Sequence, residues 1–212
     1  MDGTVGAPAR PATRIQALNR QIILDAALAA FAAHGFKGTT LDRIAAEASM
    51  SKANLLYYFR RKEDIYVAVL EATLEGWLAP LEAMDAAGDP IAELQRYIDR
   101  KLAMSVERPQ ASRLFAGEIL NGAPFVHGLL ETRLRLLVEE KARIISDWMD
   151  AGRLSRVDPV HLIFAIWAVT QHYADFAVQV RAVAGPRAER PDFAASTSEA
   201  VVALLLEGLR PR

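Results

Sequence analysis

The sequence predicts an all-α protein: an N-terminal helix-turn-helix unit of three helices followed by a C-terminal helical bundle, about nine helices in total. Three observations carry that prediction. Apolar residues recur at intervals of three and four through almost every segment, and no stretch alternates with period two between turn signals. The breaks between segments carry helix punctuation, with Gly after a periodic run or Asp-Pro before one. Residues 39–62 hold two short helical patterns back to back around a polar break, Ser49-Met50-Ser51, which is helix-turn-helix spacing.

Length and composition set the bounds. With 212 residues, 52% of them hydrophobic, the chain can bury a full core and forms one large domain or two small ones. It has no cysteine, so disulfides, thiolate chemistry and sulfur-based metal clusters are excluded. The four histidines, His34, His127, His161 and His172, show no metal-ligand spacing, and neither a metal nor another cofactor is expected. The opening MDGTVGAPARPAT has no apolar core like that of a signal peptide, and Leu162–Val169 falls far short of the roughly 18 apolar residues that span a bilayer. A cytoplasmic protein without membrane contact is therefore expected. The net charge of -1 conceals an asymmetry: residues 1–62 carry nine Lys/Arg against four Asp/Glu, a net of +5, which leaves -6 for the remainder. The basic half coincides with the helix-turn-helix and attracts phosphate there.

In chain order, residues 1–13 are read as a disordered arm on their Pro and Gly content, with Arg10 and Arg14 near a minor groove if they touch DNA at all. A first helix runs from Arg14 to His34 on Ile15, Leu18, Ile22, Ile23, Ala26, Ala27, Ala30 and Phe31, and Gly35 ends it. Thr40 caps the second helix, where its hydroxyl and the free N–H groups can face a phosphate. Leu41, Ile44, Ala45 and Ala48 form that helix's inner face; Ala53, Leu55, Leu56 and Phe59 form that of the third. The third helix opens on Ser51, Lys52, Ala53 and Asn54, short or polar enough to reach base edges: lysine donates to guanine, and an asparagine amide matches adenine. A helix-turn-helix unit over 14–62 and a second domain over 63–212 follow. Glu63 and Asp64 suit the first turn of a long fourth helix, which Pro80 bends or ends. Further helices are expected over Ile91–Val106, Gln110–Leu120, Phe125–Ala151, Asp158–Ala184 and Phe193–Leu209. The apolar faces of the last two are wider than one bundle seam needs, so these helices, near 158–184 and 193–209, are expected to pair a homodimer.

The block from Phe31-Ala32-Ala33-His34-Gly35-Phe36 through Thr39-Thr40, Ile44-Ala45, Ser51-Lys52 and Tyr57-Tyr58-Phe59 to Lys62-Glu63 resembles the DNA-binding domain of the TetR family of repressors. The C-terminal half is similar to pyrimidine-responsive members of that family in Trp77-Leu78-Ala79-Pro80-Leu81, residues 109–115, Leu162-Ile163-Phe164, residues 170–176 and Arg210-Pro211-Arg212. The resemblance implies a ligand-responsive repressor, not an enzyme: a homodimer whose recognition helices enter successive major grooves of a double-stranded operator. It places Thr40, Tyr58 and Lys62 at phosphates and Lys52, Ala53 and Asn54 near bases. Leu56 stands where many members have tyrosine, so the family's base preferences do not transfer. Tyr57 is expected to pack inward against the first helix.

An effector site is expected within the bundle. Trp77 and Leu78 lie on the helix leading from the DNA-binding domain, Trp167 and Gln171 lie one turn apart on 158–184, and Thr170 is expected on their face. Arg113 is a polar candidate beside them, with Ser112, Asn121, Tyr97 and Lys101 as further ones. Uracil or thymine, the effectors that the resemblance implies, are flat rings on which an indole can stack and whose edge a glutamine amide can read. The rival reading is a more hydrophobic effector, such as a drug or an acyl compound. An enzyme is disfavoured: the chain has no GxSxG, phosphate-cradling glycine loop or useful carboxylate pair.

Overall fold

The computed structural model describes residues 14–211, and no strand occurs among them. The expected arm over 1–13, with Arg10, lies outside the described residues. The chain forms two compact units that divide between Val69 and Leu70.

The N-terminal unit holds α1 (Arg14–Gly38), α2 (Leu41–Glu47), α3 (Lys52–Tyr58) and the start of α4 (Lys62–Glu82). Its division from the rest falls seven residues beyond the expected 62/63, because the first turns of α4 complete its core: Tyr66 packs edge-on to Phe31 at 4.9 Å and against Phe36 at 4.9 Å. Gly35 breaks α1 as its sequence position predicts, at φ 67°, a conformation that costs glycine nothing. Thr39 seals the break, its buried hydroxyl donating to the carbonyls of Ala30 at 3.1 Å and Gly35 at 2.8 Å. The core is narrower than the apolar pattern predicts. Ile23, Ala27, Ala30 and Phe31 are buried, whereas Ile15, Leu18 and Ile22 are 71%, 60% and 39% exposed. In α3 only Leu55 is sealed, with Phe59 just behind it, and Leu56 faces out.

The C-terminal unit contains the rest of α4, then α5 (Pro90–Glu107), α6 (Pro109–Leu120), α7 (His127–Leu129), α8 (Arg135–Asp150), α9 (Pro159–Asp175), α10 (Ala177–Ala184) and α11 (Phe193–Leu206). Asp89 and Asp158 cap α5 and α9 ahead of Pro90 and Pro159, each accepting a backbone N–H at 2.9 Å. α4 continues two residues past Pro80 and then stops. Two expected helices are each divided, which turns nine into eleven. The 125–151 pattern carries a π-helical turn at Leu130–Leu134, and the 158–184 pattern breaks at Phe176, whose φ of -109° and ψ of 29° leave the helical region. Periodicity misses both breaks because neither needs Gly or Pro. The core of this unit lies where α5 packs on α9 and α11, around Leu94, Ile98, Ile163 and Ile166.

Candidate functional site

Two sites stand on these units. The first is the exposed N-terminal end of α3. Ser51 caps it by accepting the Asn54 N–H at 3.1 Å, and Thr40 caps α2 by accepting from Arg43 at 3.2 Å. The turn between them runs through Ser49 at φ 54°, a left-handed conformation unusual for serine, closed by Met50 N–H donating to Ala45 at 2.9 Å. Lys52, Ala53 and Asn54 are exposed beside this turn, with Lys52 paired to Asp42 at 2.9 Å. The pair is open to water, so it orients Lys52 without adding much stability.

The other expected DNA contacts are placed differently. The half-buried Tyr58 accepts a hydrogen bond from Asn19 at 2.9 Å, so α1 fixes its ring. Lys62 donates to the carbonyls of Phe36 at 2.7 Å and Thr39 at 2.9 Å, with its ammonium 4.3 Å from the centre of the Phe36 ring. That arrangement satisfies backbone carbonyls at the end of α1, and it leaves one ammonium N–H of three for a phosphate. Tyr57 corrects the expectation of inward packing: it is 70% exposed, with its hydroxyl accepting from Gln16 Nε2 of α1 at 3.2 Å. The two tyrosines exchange roles because Tyr58, not Tyr57, falls on the α3 stripe that faces α1.

The second site is a cavity of about 620 Å³ in the C-terminal unit. Trp77 and Leu78 from α4, Arg113 from α6, and Trp167 and Gln171 from α9 converge on it. Thr170 does not. It is fully buried, its hydroxyl donates to Ile166 O at 2.7 Å, and its carbonyl accepts from Ser105 Oγ at 2.8 Å. Thr170 belongs to the stripe packed on α5; the cavity stripe is Trp167, Gln171 and Asp175, spaced by four. Asn121 spends its amide on Gly117 O at 2.7 Å, on the exposed side of α6.

The cavity walls are mostly apolar, with Leu74, Phe115, Ile119 and Leu120 among them, and the π-turn supplies Leu130 and Leu134. A π-helical turn often marks a functional site, and here it sets two leucines against the cavity. Trp77 meets Phe115 edge-on at 5.1 Å, while the ammonium of Lys101 lies 4.8 Å from its ring centre. A ligand stacking on that face of Trp77 has to displace Lys101. The indole N–H of Trp167 donates to Tyr97 Oη at 2.6 Å, which fixes the ring's orientation; burial pushes the Tyr97 phenol up, so it stays neutral and able to accept. Asp175 accepts from Ser112 Oγ at 2.5 Å. Burial pulls Lys101 down to about 8, with Asp175 opposing the shift.

Sequence reasoning missed Phe115, Asp175 and the leucines of the π-turn. Spacing by four from Gln171 was the available signal for Asp175; the π-turn left none. A second cavity of about 650 Å³ lies between α5, α10 and α11, lined by residues such as Val106, Tyr173, Arg181 and Phe193, and it holds none of the expected effector residues. Among the described residues no group of three or more His, Cys, Asp or Glu can hold a metal ion, and no helix is long and apolar enough to cross a membrane.

Comparison with known proteins agrees with both units. Residues 23–69 match the family of bacterial regulatory proteins named tetR, and residues 70–212 match the family described as YcdC-like protein, C-terminal region. The chain is 48% identical over 200 residues to the HTH-type transcriptional regulator RutR of Escherichia coli K12, covering 94% of each chain. A transcriptional regulator from Streptomyces coelicolor has the same fold at 27% identity, with a TM-score of 0.73 over 92% of this chain and 99% of that one. AibR, solved with isovaleryl coenzyme A and operator DNA, shares the fold at 17% identity and a TM-score of 0.66, over 89% of this chain and 98% of that one. With both units matched and nearly half of the residues identical across almost the whole length, the chain belongs to the TetR family of DNA-binding, ligand-responsive transcriptional regulators and is not an enzyme.

Proposed function

We propose that this chain is a repressor of pyrimidine catabolism that leaves its operator when a pyrimidine base, uracil or thymine, enters the cavity of the C-terminal unit. The observation that carries the reading is the convergence of Trp77, Leu78, Arg113, Trp167 and Gln171 on one cavity. The sequence resemblance to pyrimidine-responsive regulators supports it, as does the chemistry of the ligand. The Gln171 side chain makes no hydrogen bond within the described residues, so its amide is available to both accept from and donate to an imide edge. Trp167 offers a ring held in place by Tyr97.

On the DNA, Lys52, Ala53 and Asn54 read bases, while Thr40, Tyr58 and the remaining N–H of Lys62 face phosphates. Two copies pair through α9 to α11, where Phe164, Phe176, Val183 and Leu204 are 49%, 54%, 82% and 80% exposed. Light scattering that gave a monomer at micromolar concentration would sink the dimer. α4 runs from Lys62 to Glu82, so Lys62 and Trp77 share one helix. A ligand-induced tilt at Trp77 would change the separation of about 34 Å that two recognition helices need.

Only differential affinity drives such a shift. Uracil has eight heavy atoms, and at a ceiling of about -1.5 kcal/mol per atom its binding cannot exceed roughly -12 kcal/mol. Spending about 3 kcal/mol of that on the DNA-free state weakens operator binding roughly 100-fold. A gel-shift titration tests this: uracil and thymine at millimolar levels dissociate the operator complex, and an intact complex refutes the proposal. One observation favours a second reading, a more hydrophobic effector: the cavity is roomy for so small a ring, and its walls are largely leucine and aromatic. Calorimetry on Gln171→Ala separates the two, since uracil binding is lost whereas an apolar effector hardly responds.

A further inference from the structure

The buried Thr170 and Lys141 of the C-terminal unit show how this molecule treats enclosed donors. Thr170 donates to a carbonyl, and Lys141 donates to Glu82 O at 2.9 Å and pairs with Glu140 at 3.1 Å. Lys101 is the exception. It is 4% exposed, yet its ammonium has no hydrogen-bond acceptor among the described residues and has only the Trp77 ring, 4.8 Å away. No side-chain nitrogen or oxygen there is both sealed and unpartnered, so Nζ must open onto the cavity that Lys101 lines. Asp175 is the countercharge in range, but its carboxylate is held by Ser112 at 2.5 Å.

A buried ammonium without an acceptor is costly, and a ligand oxygen that pairs with it forms a charge-assisted bond. A ligand without such an oxygen removes the remaining water from Nζ and returns nothing, so the site rejects it. We infer that Lys101 is the donor that anchors the effector, and that the cavity selects a planar ligand presenting a carbonyl or carboxylate oxygen to its ammonium beside the Trp77 ring. This rests on the reading of the cavity as the effector site, though not on the effector being a pyrimidine. Of the charged and titratable groups nearby, Asp175 from α9 and Arg113 from α6 line the same cavity as Lys101, and Tyr97 lies one turn back on its own helix, bonded to Trp167; α4 contributes only Leu74, Trp77 and Leu78 to the wall.

The experiment is calorimetry on the full chain with two ligand pairs, uracil against unoxygenated pyrimidine and benzoate against toluene, for the wild type, Lys101→Met and Lys101→Arg. In the wild type at least one oxygenated ligand binds on the order of 100-fold more tightly than its counterpart. Lys101→Met abolishes that difference, and Lys101→Arg, which keeps the charge, retains most of it. Benzoate keeps a constant charge between pH 6 and 9, so its affinity for the wild type falls as pH rises through about 8 and Lys101 loses its proton, and it stays flat in Lys101→Met. Binding of benzoate but not uracil, with Lys101 required, removes the pyrimidine proposal and leaves this inference standing. Uracil binding with Lys101 required supports both. The inference is overturned if neither oxygenated ligand gains over its counterpart in the wild type, or if the gain survives in Lys101→Met.

Discussion

The helix-turn-helix unit and the cavity of the C-terminal unit deploy polar side chains in opposite ways. Around α3, Ser51, Lys52 and Asn54 stand in water on a frame whose interior is apolar, sealed by Ile23, Phe31, Ile44 and Leu55. Inside the bundle, Lys101, Ser112 and Tyr97 are turned inward and enclosed. An exposed donor loses little while it waits for DNA, because water pairs it. An enclosed donor is costly until something pairs it. The exposed end of α3 can therefore be assembled without compromising its unit's stability, whereas the cavity carries an ammonium that is held there at a cost.

The sharpest break of that contrast would come from the frame itself. Leu55→Ala removes a fully buried side chain and is expected to cost about 2–5 kcal/mol in denaturant unfolding, with operator binding lost as a consequence. If stability hardly moved, the apolar frame would not be what holds the recognition helix.

Next in size is the cavity charge. Lys101→Met is expected to stabilise the chain by about 1–3 kcal/mol at pH 7 while losing effector response. The sign follows from its lowered value. Below about 8 the lysine is charged in both folded and unfolded chains and the burial penalty is complete; between about 8 and its ordinary 10.5 the folded form is neutral while the unfolded form still binds a proton. Wild-type stability should therefore rise with pH across that window, and the advantage of Lys101→Met should shrink. Melting curves at pH 7 and 10 check this, and an advantage independent of pH would break the assignment.

On the DNA side, Asn54→Ala should cost about 1–3 kcal/mol at one base position and leave stability unchanged within about 0.5 kcal/mol. Lys52→Ala has a different signature if its partner is a phosphate and not a base: a loss spread evenly over operator variants and a salt slope smaller by about one. Binding titrations over a panel of operators at several salt concentrations distinguish the two. The smallest expected effect is at the turn. Ser49→Gly relieves a left-handed backbone at φ 54° and should stabilise the unit by about 0.5–1 kcal/mol, read as a raised denaturation midpoint with operator affinity retained.

Much of this arrangement is legible from the chain alone, and the misses have particular causes. The caps at Thr40, Asp89 and Asp158 are local chemistry, so reading them requires no knowledge of the fold; the cap at Ser51 is found in the structure. Apolar periodicity finds helices but not which stripe is buried, so Ile15 and Leu18 share the α1 pattern and yet stay exposed. Thr170 and Gln171 are neighbours in sequence and point about 100° apart; choosing between them needs the position of α5, which Ser105 marks by bonding to the Thr170 carbonyl. The exchange between Tyr57 and Tyr58 has the same origin.

By itself, then, the sequence determined the helical class, the helix-turn-helix and its caps, the local basic charge and the family, because these depend on spacing and composition within one turn or one segment. Only the tertiary structure decided that the 125–151 pattern bends through a π-turn at Leu130–Leu134, that Lys62 ties off the end of α1, and that Lys101 is enclosed over Trp77 without an acceptor. Each of these depends on what a distant segment brings to the same place, and no periodicity along one helix records what lies across from it.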